Sequence, residues 1–300
     1  MSQQRLWLLV LGAGAVVWLL AAVITAVTKD TILVPTLILV GSFFVPVAMV
    51  SFALTREREG ALSAQIVAVG FVAGGTVGLL GAALTEVEVL PPALGNLLGV
   101  GLIEEGAKGL VLLGVAHFVR PRGPRDGMAL GATVGAGFAS FESSGYAMTA
   151  LIDHGRDHAV VNIVATEATR ALLAPFGHIT WTALLGGALF AAAASGDGRL
   201  RITRGVVGTF AGVVLLHAAW DASYGWAIIA TEGVVGSGWS FDWPNTKAWA
   251  GSPTGRDLLV WQAIYDVLIA LNAAIGTTWL VRRWRAYRRA AKTVGVGLHA

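Results

Sequence analysis

Gly101-Leu102-Ile103-Glu104-Glu105-Gly106-Ala107-Lys108 sets two carboxylates and an ammonium inside an apolar segment that runs from about Ala93 to Val119. The segment is long and apolar enough to span a bilayer. An ionisable group at membrane depth costs about 2.5–3.5 kcal/mol on insertion scales. Structure alone is a poor reason to bear that cost three times over. The stretch therefore predicts a membrane helix that carries part of a buried reactive site.

The rest of the chain agrees with a membrane setting. Of its 300 residues 55% are hydrophobic and only 13% charged, where a soluble protein is nearer about 25% charged. Apolar runs of spanning length recur from end to end. The expectation is an all-α, polytopic membrane helix bundle, a single integral-membrane domain over residues 1–300. Its motif-bearing core covers about 93–230 and its basic tail 282–300. With no cysteine, disulfides and thiolate chemistry are excluded. The 39 glycines suit close helix–helix contact in lipid. No nucleic-acid-binding module is visible, and the sequence leaves the oligomeric state open. Arginine outnumbers lysine, and alanine and glycine are abundant, a compositional hint of a GC-rich bacterial genome; the expected location is a bacterial cell membrane.

Eight membrane helices are expected, at about 6–27, 32–54, 61–84, 93–119, 127–152, a stretch ending near 194, 206–230 and 258–281. A short helix at about 160–173 precedes the sixth. The positive-inside rule orients them. One set of segments holds Arg5, Arg56, Arg58, Arg120, Arg122, Arg125, Arg199, Arg201, Arg204 and the tail's six basic residues; the other holds only Lys29, Arg156, Lys247 and Arg256. Both termini are thus expected on the cytoplasmic side. Glu86 and Glu88 read as an acidic loop before Pro91-Pro92, and 231–257 as a long loop rich in Gly, Trp and Pro.

Few ionisable groups remain at depth. Glu104 lies roughly 16 Å from the outer end of its helix and His217 roughly 16 Å from the inner end of its own, with Glu142 and His178 in the same band. Residues four apart share a helix face, which pairs Glu104 with Lys108, Glu142 with Tyr146, and His217 with Asp221. Glu105 points about 100° away from Glu104. Carboxylates beside imidazoles are the parts that activate water. Two histidines and a glutamate are also the ligand set of a catalytic zinc with one open position. His178, His217 and Glu142 could supply that set, leaving Glu104 or Glu105 to take a proton from the water. Arg170 with Glu167 reads as a pair on one helix, and His154 with His158 as a solvated loop.

These residues carry a family resemblance. Glu104-Glu105-Gly106-Ala107-Lys108 is similar to the EExxK signature of the PrsW-type intramembrane proteases, and Phe141-Glu142-Ser143-Ser144-Gly145-Tyr146 to their FExxxY. Arg170 followed by Gly177-His178 resembles their looser third motif, and His217-Ala218-Ala219-Trp220-Asp221 their HxxxD. All four stand in the family's order across about 101–221. The related CAAX prenyl-endopeptidases carry a histidine in the second motif, where Glu142 and Tyr146 stand here. The resemblance implies an intramembrane endopeptidase that cleaves a membrane-anchored protein, such as an anti-sigma factor. Its site residues would be Glu104, Glu105, Lys108, Glu142, Tyr146, His217 and Asp221; the donor set admits Zn2+, while the related CAAX enzymes leave room for a metal-independent glutamate/histidine mechanism. The first two and last two helices carry no motif, so substrate choice is not readable from it. Buried acids and histidines also mark proton-coupled transporters and channels. No second copy of the motif set is present, which counts against that alternative.

Overall fold

The computed structural model describes residues 5–55, 62–90, 96–119, 123–153, 159–236, 238–241, 249–250 and 252–296. The loops bearing Arg56, Arg58, Arg120 and Arg122, and the pair His154 and His158, lie outside the described residues. The architecture is helical: α1 (Leu6–Thr28), α2 (Val34–Leu54), α3 (Ala64–Ala73), α4 (Leu79–Val89), α5 (Leu97–Ala116), α6 (Pro124–Asp153), α7 (Ala159–Leu173), α8 (His178–Ala194), α9 (Arg204–Val235) and α10 (Gly255–Val296). A π-helical turn, Gly74–Gly78, joins α3 to α4 in one rod. The only extended pairing among the described residues is a two-residue antiparallel ladder, Ser240–Phe241 (β1) with Trp249–Ala250 (β2), within the expected loop.

Six helical stretches are long and apolar enough to cross a membrane: Leu6–Thr28, Thr31–Leu54, Ala64–Val89, Ala159–Ala194, Arg204–Val235 and Gly255–Ala290. α5 and α6 are not among them. Every long window of α5 contains Glu104, Glu105 and Lys108, and α6 is diluted by Gly, Ala and Ser. The two helices that fall short are thus the ones that carry most of the polar chemistry. Large apolar side chains such as Leu20, Leu84, Leu110 and Leu259 face outward, as they do when lipid is the solvent.

α6 is the central post, packed by α8, α2, α3, α7 and the π turn. Its glycines explain how closely these helices approach. A Cβ on Gly127 would strike the carbonyl of Gly186, one on Gly131 the carbonyl of Thr182, and one on Gly135 the carbonyl of His178. Spaced four apart, they form a seam along which the α6 and α8 backbones touch. On another face Gly137 seats against the carbonyl of Phe71.

Several boundaries depart from expectation. The third span continues as a helix to Val89, so Glu86 and Glu88 are helical rather than in a loop. The π turn wraps an extra residue into one turn, which shifts the facing of everything after it. α10 runs on to Val296, so the basic tail is a helical extension through most of its length rather than a separate segment.

Candidate active site

Gly101 lets α5 lie close on α9: a Cβ there would stand 3.0 Å from the carbonyl of Val214. One turn further along α5, Glu105 meets His217. Between the two glutamates sits Lys108, fully buried like Glu105. Its Nζ lies 2.7 Å from Glu105 Oε1 and 3.2 Å from Glu104 Oε2, and 2.7 Å from His178 Nδ1 on α8. An ammonium has three N–H donors, and here three acceptors take them. The Phe138 ring lies 4.0 Å away and supplies a cation–π contact. The expected Glu104–Lys108 face is present, but the shorter contact is to Glu105. Positions three and four apart flank the same stripe, so Lys108 lies between both carboxylates.

Lys108 donating to His178 Nδ1 fixes the tautomer by inference: the proton is on Nε2, which donates to Glu142 Oε2 at 3.0 Å. The same Glu142 oxygen accepts from Arg170 at 2.6 Å, and Arg170 Nε donates to Ser143 Oγ at 2.8 Å. The guanidinium of Arg170 lies 4.2 Å over the ring of Tyr146, which draws the FExxxY tyrosine to the site. Arg170 therefore does not pair with Glu167, as the sequence reading had it. Glu167 turns instead toward α1 and α2, where it is buried and accepts from Trp18 Nε1 of α1 at 2.6 Å.

On α9, His217 Nδ1 stands 2.9 Å from Glu105 Oε1. With that nitrogen donating to the carboxylate, Nε2 carries the lone pair. It faces Asp221 Oδ2 at 3.4 Å and Glu104 Oε2 at 3.7 Å. Trp181 stacks on the His217 ring at 4.9 Å between centroids and 29° between planes. The two imidazoles are 5.1 Å apart.

These groups border a cavity of about 560 Å³. Glu104, Glu142, Tyr146, Arg170, His178, His217 and Asp221 all line it, whereas Lys108 and Glu105 stand behind the wall. Glu104 Oε1 has no hydrogen-bond partner among the described residues. Sequence reasoning missed Glu86 of α4, Trp181 and Trp220, and Tyr265 of α10, all of which line the same space. Trp181 was detectable as the residue one turn after His178. Glu86 gave no signal, because its approach depends on the π turn.

The residues fit a divalent cation on two grounds. Ligand atoms of Glu104, His178 and His217 lie within 4.8 Å of one another, an oxygen and two nitrogens of the kind zinc takes; His217 Nε2 has its lone pair free for this, whereas His178 Nδ1 is taken by Lys108 and becomes a ligand only when that bond is given up. Four carboxylates, Glu104, Glu105, Glu142 and Asp221, face two fixed cations, Lys108 and Arg170. That leaves two negative charges uncompensated when both histidines are neutral. The His217 Nδ1–Glu105 contact is also the carboxylate support that orients a metal-ligating histidine. Of the expected triplet His178, His217 and Glu142, both histidines belong to this group. Glu104 stands in the carboxylate place, while Glu142 is held by Arg170 and His178 Nε2.

Compared with known proteins, the chain matches over residues 59–241 a sequence model described as PrsW family intramembrane metalloprotease. No curated protein and no solved structure matches it.

Proposed function

The chain belongs to the PrsW family of intramembrane metalloproteases, and we propose that it hydrolyses one peptide bond of a membrane-anchored regulatory protein, of the anti-sigma-factor kind, in a bacterial cell membrane. The observation that carries this reading is Glu104: a carboxylate with one oxygen turned to Lys108 and His217 and the other without a hydrogen-bond partner among the described residues, on the wall of a cavity able to hold water. Lys108 engages Glu104 through Oε2 and leaves Oε1 turned to the cavity. A cavity water gives its proton to Glu104 while its oxygen attacks the scissile carbonyl, and Glu104 returns the proton to the leaving amine. Such general acid–base work is worth about 10²–10⁴-fold.

The other residues support that step. Glu105 holds the Nδ1–H of His217 and so aims Nε2 at the cavity. Arg170, braced by Glu142, Ser143 and the Tyr146 ring, is the donor for the carbonyl oxygen as it gains charge. Asp221, 3.4 Å from His217 Nε2, accepts a hydrogen bond from that nitrogen when the ring is protonated during the reaction. Glu104 and His217 Nε2 would hold a zinc ion, joined by His178 only when its Nδ1 gives up the bond from Lys108, and the ion when bound would supply Lewis acidity to water and carbonyl.

In this reading the chain is a single membrane domain crossing eight times with both termini cytoplasmic. The six apolar stretches are joined by α5 and α6, whose polar residues face the cavity rather than lipid. The test is cleavage by purified protein in nanodiscs. Its substrates would be found by comparing membrane-protein fragments from cells with and without active protein. Full cleavage by Glu104→Gln, Glu105→Gln and His217→Ala variants would refute the assignment. Elemental analysis with chelator treatment checks the metal: no bound zinc and chelator-resistant cleavage would remove it from the mechanism.

A further inference from the structure

A second cavity lies away from the catalytic one, on the lipid-facing side where α2, α6, α8 and α10 meet. It encloses about 350 Å³. Its walls are nearly all apolar, with Phe52, Met128 and Ala132 among them. Thr180 and Pro175 line one end, and Arg125, in the first turn of α6, with Trp284 of α10 lines the other, open end. From Arg125 to Ala132 the helix rises roughly 10 Å, and the apolar lining along that length suits part of an acyl chain laid along α6.

The open end is polar in one sense only. Trp284 Nε1 is a buried donor with no partner. The guanidinium of Arg288 lies 5.4 Å over the Trp284 ring. Arg282, Arg283, Arg285 and Arg289 are exposed on the same stretch of α10. Asp126, adjacent to Arg125, is buried and offsets one charge of this group. Among the described residues the mouth thus presents a surplus of guanidinium charge and an indole N–H above an apolar slot. We propose that this groove binds an anionic phospholipid, one acyl chain lying between α2, α6 and α10 and the phosphate held by Arg125, Trp284 Nε1 and Arg288. Basic residues at the membrane surface attract anionic headgroups, and tryptophan suits an apolar body with a polar tip at that level. Ile179 and Thr180 line the slot, whereas their neighbours His178 and Trp181 line the catalytic cavity. A bound chain therefore packs the back of the helix that carries His178, without touching the chemistry.

Native mass spectrometry of the full chain, released from nanodiscs of equal phosphatidylglycerol and phosphatidylcholine, tests the site. The wild-type protein should retain one phosphatidylglycerol in preference to phosphatidylcholine. Arg125→Gln with Arg288→Gln should weaken that retention about thirtyfold, and Trp284→Phe should weaken it further. Ala53→Phe, which fills the groove and leaves every charge in place, should abolish it. Inorganic phosphate or glycerol phosphate in excess should not displace the lipid, since neither has a chain for the slot. Helix content by circular dichroism, unchanged in each variant, excludes misfolding as the cause. Equal retention of the two lipids overturns the proposal. Loss with the charge variants but full retention in Ala53→Phe also overturns it, leaving a surface headgroup interaction in its place.

Discussion

Removing the ammonium of Lys108 should be the most damaging single change that leaves every cavity-lining residue in place. In Lys108→Met the stem is kept and the charge lost. Glu105, with no exposed surface, then loses a partner at 2.7 Å, and Glu104 loses one at 3.2 Å. At an effective dielectric of 20 the shorter contact alone corresponds to about 6 kcal/mol of gross attraction. Breaking one side of a buried pair costs about 3–5 kcal/mol net, because the remaining charge is stranded. The expected outcome is a loss of that order in unfolding free energy, measured by denaturant titration in detergent micelles. A second substitution separates this account from mere loss of packing. Lys108→Met with Glu105→Gln removes both members of the pair, so it should recover a large part of the stability and none of the activity. The coupling in this double-mutant cycle should exceed about 1 kcal/mol. Additive effects of the two substitutions, or a Lys108→Met protein as stable as wild type, would refute the reasoning.

The two glutamates of α5 should separate kinetically: Glu104→Gln lowers kcat by about 10²–10⁴-fold as a lost proton acceptor, whereas Glu105→Gln costs about 10–100-fold through a less firmly held His217. Steady-state cleavage of one defined substrate checks this, and equal losses would argue against distinct roles. Two glycines of α6 give a contrast read by thermal unfolding. Gly135→Ala drives a methyl group into the carbonyl of His178 and should cost about 1–3 kcal/mol; Gly145→Ala meets nothing within 4 Å and should be neutral or stabilising by up to about 1 kcal/mol. Trp18→Phe removes the hydrogen bond to Glu167, whose other carboxylate oxygen already lacks a partner. It should cost about 1–3 kcal/mol, and the further change Glu167→Leu should recover part of it.

Much of the cavity wall was legible because charge is costly in lipid. Glu104, Glu142, His178, His217 and Asp221 stood out one by one against apolar surroundings, and the structure brings all of them to one space. Their division of labour was less legible. Helical spacing pairs Glu104 with Lys108, yet the ammonium lies between positions three and four residues back and is nearer Glu105. Arg170 and Glu167 share a helix and so read as a pair, but they point to different neighbours, and only the packing of α1 and α6 against α7 shows which. Glu86 was hidden by a change of helical pitch at Gly74–Gly78, which periodicity cannot anticipate. The helix ends near Val89 and Val296 were missed for a simpler reason: polar residues at a helix end resemble a loop when sequence is all there is.

The glycine seam between α6 and α8 has a mechanical consequence. With backbones in contact there is no side-chain cushion to compress, so Glu142 and His178 ride on one stiff strut. Glu104, Glu105 and His217 ride on another, formed where Gly101 seats α5 on α9. The ammonium of Lys108 spans the two, reaching from α5 to the ring of His178. It works as a dowel that registers two separately built halves. The alignment of the site is thereby set by a few ångströms of one flexible side chain, so any force that spreads the struts, including a substrate wedged between them, is felt first at that side chain.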